Sequence, residues 1–232
     1  MHARLPAGQA DIKRKATLTF KPVRDTGKAC IKISCARGHS RVYFWKVMEE
    51  KVILDSDNMS RTLRRLAHEI IEQNDCDGTI YLVGIKRRGV PIAEALKENI
   101  EKFSDIRAEL GELDITLYRD DLTERYTEPK LNESVIPFDV NGKNIIMVDD
   151  VLFTGRTARA GMDALVALGR PSKIQLLVMV DRGHRELPIR ANYVGKNVPT
   201  SRSEFVAVRV LPIDGKEEIA ILKDGDEAKA YS

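Results

Sequence analysis

Cysteine is scarce in this chain of 232 residues: three occur, Cys30, Cys35 and Cys76. An odd and sparse set cannot form the dense framework of a small secreted scaffold, and it points to a reducing, cytoplasmic setting. Long apolar runs are missing as well. VYFW at 42–45 is too short to anchor anything in a bilayer, and no signal-peptide core precedes a small-residue cleavage site, so neither a membrane partner nor secretion is expected. Aromatic residues make up only 6% of the chain, with a single Trp, and no low-complexity tract or internal repeat is present. Two nucleotide-binding signatures are absent too. No G-x-x-x-x-G-K-[ST] and no G-x-G-x-x-G follows a strand, which argues against an ATPase and against a dinucleotide binder. What remains is 43% apolar and 31% charged residues, the make-up of a globular protein with one sizeable core.

The net charge of +3 hides a split. Residues 1–47 carry +9 and residues 48–232 carry −6. A basic leader on a mildly acidic body suits a nucleic-acid arm, a transit peptide or sequence outside the working domain. Met48, followed by EEKVILD, reads as a natural start. The expectation is therefore a basic extension over 1–47, disordered or not native, and a single domain over 48–232. Cys30, Cys35 and His39 have no partner pair at zinc-finger spacing, which leaves two free thiols as the plainer reading.

From residue 48 on, helical and strand patterns alternate. Met59, Leu63, Leu66, Ala67, Ile70 and Ile71 form one apolar face of a helix starting near Asp57. TIYLVGI (79–85) reads as a buried strand, residues 90–103 as a helix opened by Pro91, LDITLYR (113–119) as a strand, and RDDLTERYTEPKLNES (119–134) as a polar loop. NIIMVDDV (144–151) is strand-like, RTARAGMDALVAL (156–168) helical, and IQLLVMV (174–180) a strand. A Gly/Arg/Pro-rich stretch (181–203) leads to EFVAVRV (204–210) and EEIAILK (217–223). Strands separated by helices predict an α/β fold with a largely parallel central sheet flanked by helices, whose ligands sit at the carboxyl ends of the strands.

The segment after the strand at 144–151 has the chemistry for a phosphorylated sugar. Asp149 and Asp150 can accept hydrogen bonds from vicinal hydroxyls. Val151, Leu152, Phe153, Thr154, Gly155, Arg156 and Thr157 then lead into a helix, whose first N–H groups and positive dipole end favour a phosphate. An ordinary strand, turn and helix is the alternative reading of any isolated fragment of this run. A basic turn, Lys86, Arg87, Arg88 and Gly89, closes the strand at 79–85. Arg61, Arg64, Arg65 and His68 fall within one arc of the first helix, opposite its apolar stripe, and read either as a solvated face or as a surface for RNA phosphates.

IIMVDDVLFTGRT (145–157) resembles the phosphoribosyl-pyrophosphate (PRPP) signature of type I phosphoribosyltransferases. GIKRRG, DITLYRDDL, TGRTARAGMDAL, GRPSKIQL and VDRGHRELPIRANYVGKNVPTS extend that likeness over 51–222. They resemble, within that family, the pyrimidine operon regulators that double as uracil phosphoribosyltransferases. The resemblance implies the type I fold with a small hood segment and PRPP and Mg2+ as ligands, the ion being held mainly by PRPP and water rather than by a cage of protein side chains. It assigns the ribose hydroxyls to Asp149 and Asp150, the 5′-phosphate to Thr154–Thr157, and pyrophosphate to the Lys86–Gly89 turn and to Arg119 at the start of a lid. Arg87 departs from the small hydroxyl residue common there. The resemblance further implies a uracil pocket at Asp181, Arg182, His184 and Arg185, with UMP and UTP as further ligands. It implies leader messenger RNA bound by Arg61, Arg64, Arg65, His68, Arg185, Arg190 and Lys196, and assembly into dimers or larger homo-oligomers. Arg64 stands where Thr is common. A regulator with little transferase activity, or a transferase for another base without RNA binding, are the competing expectations.

Overall fold

The computed structural model describes the backbone of residues 17–22, 28–37, 40–74, 78–118 and 134–231, and side chains over 49–223 within those spans, Leu117 excepted. The chain divides into two compact units. The first comprises Met1–Val52, Ser203–Phe205 and Ala220–Ser232. Its strands β1 (Thr17–Pro22), β2 (Lys28–Arg37) and β3 (Ser40–Leu54) form an antiparallel meander. Thr17 lies opposite Ser34, and Lys28 opposite Glu49. The basic leader thus carries β-branched and aromatic runs, TLTF, IKIS and VYFW, that suit paired strands.

In the second unit, Ile53–Arg202 and Val206–Ile219, α1 (Ser56–Gln73) starts at Asp55, whose carboxylate accepts the Asn58 N–H at 2.9 Å. It is followed by β4 (Thr79–Ile85), α2 (Gly89–Phe103) and β5 (Arg107–Leu113). A single 3-10 turn over Thr116–Tyr118 comes next. Then come β6 (Asn144–Leu152), α3 (Arg156–Leu168), β7 (Lys173–Asp181), β8 (Tyr193–Asn197), β9 (Phe205–Arg209) and α4 (Leu211–Asp214). Strand β10 (Glu218–Tyr231) begins here, and from Ala220 it belongs to the first unit.

The central sheet has the order β5-β4-β6-β7-β8, every pair parallel. Period-two alternation divides its side chains between two layers. Val83, Ile85, Ile145, Met147, Leu176 and Val178 pack with Ala158, Ala160, Ala164 and Leu165 of α3. The intervening Leu82, Ile146, Val148, Leu177 and Met179 are equally buried and face the other way. That is the layer of α1 and α2, where Leu66, Ile70, Ile92, Leu96 and Ile100 are shut off from solvent. Burial on both faces is why these strands read as continuous apolar runs.

One strand assignment is corrected. LDITLYR was expected to be a strand over 113–119, but the strand is RAELGEL, residues 107–113, and Thr116–Tyr118 forms the 3-10 turn. Strand β5 lies at the sheet edge, so only Ala108, Gly111 and Leu113 are buried and the Glu residues between them need no apolar cover. The Gly/Arg/Pro-rich stretch at 181–203 contains β8.

Candidate functional site

Strand β4 is paired on one side with β5, reached through α2, and on the other with β6. The chain therefore reverses its winding between β4 and β6, and a crevice opens at their carboxyl ends. Two glycines draw the first loop into it. A Cβ on Gly84 would lie 2.6 Å from Val90 Cα, and a Cβ on Gly89 would lie 2.3 Å from the Val148 carbonyl oxygen and 3.5 Å from Asp149 Cα. Only bare backbone fits at either place, so the Lys86–Arg88 turn is seated against β6 directly beside Asp149.

Within that turn the Lys86–Arg87 peptide is cis. The Lys86 N–H donates to the Leu113 carbonyl at 2.9 Å, and its ammonium lies 3.3 Å from Glu112 Oε2. Arg87 is exposed. Arg88 is half-buried and forks onto Asp214 of α4, Nε to Oδ2 at 3.1 Å and Nη2 to Oδ1 at 2.8 Å. The Val210 N–H donates to the same carboxylate at 3.1 Å. Burial pushes the Asp214 carboxyl up, but the Arg88 hydrogen bonds, the Val210 N–H and nearby positive charge outweigh it and hold the group below the ordinary carboxylate value.

Across the crevice, Asp149 is buried and Asp150 partly so. The Asp150 N–H donates to Asp149 Oδ1 at 2.9 Å and the Val151 N–H to Asp150 Oδ1 at 2.8 Å, which fixes both carboxylates at the strand end. Burial raises the Asp150 carboxyl above its ordinary value, while the charge of Arg88 pulls the other way. Leu152 closes β6, and the exposed Phe153 begins the loop to α3. Gly155 caps α3 at φ 93°, a left-handed conformation that favours glycine. Gly155 brings no side chain to this helix start, and the Arg156 N–H donates weakly to Thr154 Oγ1 at 3.4 Å. The Thr154 carbonyl accepts the Glu186 and Leu187 N–H groups at 2.9 and 3.1 Å, and Arg156 Nε donates to Glu186 Oε2 at 2.8 Å.

The segment after β7 closes a third side. Arg182 is buried, donating to Thr200 Oγ1 at 3.1 Å and to the Ser201 carbonyl at 3.2 Å, with its guanidinium carbon 4.2 Å from the Phe153 ring centroid. The His184 ring stands edge-on to Phe153 at 6.0 Å and bonds the Thr200 carbonyl through Nε2 at 2.5 Å. Asp181 accepts the Gly183 N–H at 2.9 Å and pairs with Arg185. Arg185 otherwise points its guanidinium at backbone carbonyls: Ile189 at 2.9 Å, Phe153 at 2.8 Å, Gly183 at 3.1 Å and Leu152 at 3.3 Å.

Thus the structure brings together the 86–89 turn, the 149–157 run and the 181–185 segment. Arg119 and the loop to residue 133 lie outside the described residues, as does Cys76. Asp214 and Glu186 were not anticipated. PIDG at 212–215 reads as a short helix end, and nothing local to it signals a partner at Arg88. Asp149 and Asp150 are hard oxygen donors that suit a magnesium ion, and among the described residues no cluster of three or more acidic, His or Cys side chains forms a ligand cage. That donor set fits an ion carried mainly by substrate oxygens.

A second, basic surface forms where α1 packs beside β8. Arg61, Arg64, Arg65 and His68 are exposed, as are Arg190 and Lys196. Arg65 Nη2 donates to the Val194 and Gly195 carbonyls at 3.0 and 2.8 Å, and Nη1 to Glu69 Oε2 at 3.2 Å. A Cβ on Gly195 would sit 2.5 Å from the Met179 carbonyl oxygen and 3.1 Å from Thr62 Cγ2, so the approach that places Lys196 next to α1 requires glycine. His68 stacks on Phe103, with centroids 4.6 Å apart and planes at 19°.

The profile of the phosphoribosyl transferase domain matches residues 50–212. Among curated proteins, "Bifunctional protein PyrR" of Clostridium novyi (strain NT) is 58% identical over 174 residues, covering 75% of this chain and 98% of that protein. "Bifunctional protein PyrR" of Clostridioides difficile (strain 630) is 50% identical over 175 residues, 75% of this chain and 99% of that protein. Among solved structures, the hypoxanthine phosphoribosyltransferase of Trypanosoma cruzi aligns with a TM-score of 0.57 at 14% identity, covering 75% of this chain and 97% of that one. A hypoxanthine-guanine phosphoribosyltransferase from Bacillus anthracis aligns with a TM-score of 0.55 at 17% identity, covering 73% and 95%. At such identities the two structures speak for the fold alone.

Proposed function

We propose that this chain, which belongs to the phosphoribosyl transferase family and within it to the bifunctional PyrR proteins, makes UMP and pyrophosphate from uracil and PRPP. The observation that carries the reading is the seating of the Lys86–Arg88 turn against Asp149 by Gly89, at the end of the strand that leads through Gly155 into α3. One crevice then offers cationic and backbone donors for pyrophosphate, two carboxylates for the ribose hydroxyls, and helix N–H groups with Thr154 and Thr157 for the 5′-phosphate.

In the reaction, uracil N1 bonds to ribose C1 as the bond from C1 to pyrophosphate breaks, and the N1 proton passes to the released pyrophosphate or to water. Asp149 and Asp150 orient the ribose and favour the positive charge that develops on it. Lys86, Arg87, Arg88 and the Gly89 backbone take up the leaving pyrophosphate. Arg119 would add a further cation for the pyrophosphate, and the polar stretch 119–134, by the family likeness, would keep water from a sugar centre prone to hydrolysis. Asp149 and Asp150 would lie beside a magnesium ion, whose charge would offset that of the pyrophosphate oxygens. The base docks against Asp181, Arg182 and His184, beside Phe153.

The basic α1 and β8 surface supports a second role, binding of pyrimidine leader messenger RNA in a way that UMP and UTP strengthen, so that transcription of biosynthetic genes ends early. Arg61, Arg64 and Lys196 would contact phosphates, and His68 and Arg190 extend the face. Both roles belong in the cytoplasm, in a homo-oligomer. UMP formation from uracil, PRPP and magnesium tests the first role, and no UMP at any magnesium concentration refutes it. Gel retention of a leader stem-loop with and without UMP tests the second. Asp149→Asn combined with Asp150→Asn lowers turnover by roughly two orders of magnitude and leaves RNA retention intact. Equal loss of both in a folded variant contradicts two separate surfaces.

A further inference from the structure

Arg185 stands out because its guanidinium is turned onto the protein's own backbone and carboxylate oxygens. Its Nε donates to the Ile189 carbonyl, Nη1 is shared among the carbonyls of Leu152, Phe153 and Gly183, and Nη2 pairs with Asp181. An arginine has five N–H donors in a fixed fork. Here the fork spans two loops that are 28 residues or more apart in sequence. Leu152 and Phe153 lead from the acidic strand end into the phosphate-binding turn, whereas Asp181, Gly183 and Ile189 belong to the segment against which the base would dock. These loops also meet elsewhere: the Arg182 N–H donates to the Leu152 carbonyl at 3.1 Å, the Thr154 carbonyl accepts the Glu186 and Leu187 N–H groups, Arg156 pairs with Glu186, and the Phe153 ring meets the Arg182 guanidinium and the His184 ring. Arg185 adds to these a hold on the Phe153 carbonyl.

We propose that Arg185 is a positioning residue that fixes the 152–153 backbone against the 181–189 segment, so that PRPP and the base are held in one reacting geometry. It touches neither substrate. A direct ligand of the base would matter for the base alone, whereas a brace shared by both loops must matter for both substrates. Lysine cannot replace it, because one ammonium can keep the pair with Asp181 but cannot span carbonyls on both loops.

The inference rests on the transferase reading, and the experiment separates the two. Arg185→Ala and Arg185→Lys are compared with the unaltered chain in steady-state UMP formation with each substrate varied, in calorimetric titration with PRPP in the presence of magnesium, and in thermal unfolding. The expected result for Arg185→Ala is a rise of roughly tenfold in KM for PRPP and for uracil alike, matched by weaker PRPP binding, for the loss of one or two hydrogen bonds' worth of positioning. Millimolar methylguanidinium restores part of it. Arg185→Lys gives the same pattern at smaller size, and it decides the matter should the alanine variant fail to fold. A rise in KM confined to uracil, or kinetics and PRPP affinity unchanged alongside a lowered melting temperature, overturns the proposal. If the unaltered chain makes no UMP, the transferase reading fails. The brace is then judged by PRPP affinity alone, and equal affinity in all three proteins refutes it.

Discussion

Replacing Gly89 with alanine adds one methyl group at the place where the 86–88 turn rests on β6. That Cβ would lie 2.3 Å from the Val148 carbonyl oxygen, so it must move out by about 1 Å to reach an ordinary carbon-to-oxygen contact. Neither neighbour can yield cheaply. Val148 is a fully buried residue of a central strand, and its register with Gly84 is fixed by the β4–β6 ladder. The turn and the start of α2 must therefore lift away from Asp149. Overpacking of this kind costs about 1–3 kcal/mol, and for a domain of this size each kcal/mol lowers the melting temperature by about 2–4 °C. The kinetic cost is larger in proportion, because a displacement of about 1 Å at a site that depends on positioning lowers the rate by about a hundredfold. Calorimetric melting and steady-state UMP formation with PRPP varied read the two effects on one preparation. A folded Gly89→Ala protein with unchanged kcat/KM for PRPP refutes the claim that the seating of this turn builds the pyrophosphate site. An unchanged melting temperature refutes the packing argument itself.

Two further outcomes follow from the charges. The Asp214 carboxyl is held low in the folded protein, so the stability it contributes through Arg88 is complete above its unfolded value and is lost as pH falls through the folded one. Asp214→Asn therefore unfolds more easily than the unaltered chain near neutral pH, and urea melts at stepped pH show that gap narrowing below about pH 4. A gap that widens toward acid contradicts the pairing. On the basic surface, Arg61→Gln with Lys196→Gln lowers the slope of log affinity for leader RNA against log salt by about 1.5, as loss of two phosphate contacts requires. An unchanged slope in filter binding removes those residues from the interface.

The central sheet was legible because its strands are buried on both sides: TIYLVGI and IIMV leave little choice but a strand, and α3 at 156–168 is bounded by Gly155 and Gly169. The run 149–157 was legible for a related reason, since the residues proposed to meet the sugar and its phosphate are contiguous. Strand β5 was misplaced because an edge strand tolerates Glu109 and Glu112, and the apolar alternation of the residues after it looked more strand-like. The strands of the leader went unread because its charge drew the attention, although TLTF and VYFW are good strand formers. What contiguous reading could not reach were partners far apart in the chain. Arg88 with Asp214 and Arg65 with the β8 carbonyls depend on how the unit closes, and no local pattern encodes them.

The pinning of Arg65 bears on how the basic surface would act in time. Its guanidinium bonds the Val194 and Gly195 carbonyls and a carboxylate one helical turn away, so α1 and β8 hold a single mutual arrangement before any partner arrives. A face ordered in advance gives up little freedom when it meets a flexible strand, and most of that entropic cost falls on the RNA. Loosening this clasp would then leave the encounter rate, set by long-range charge, nearly unchanged while shortening the lifetime of the complex.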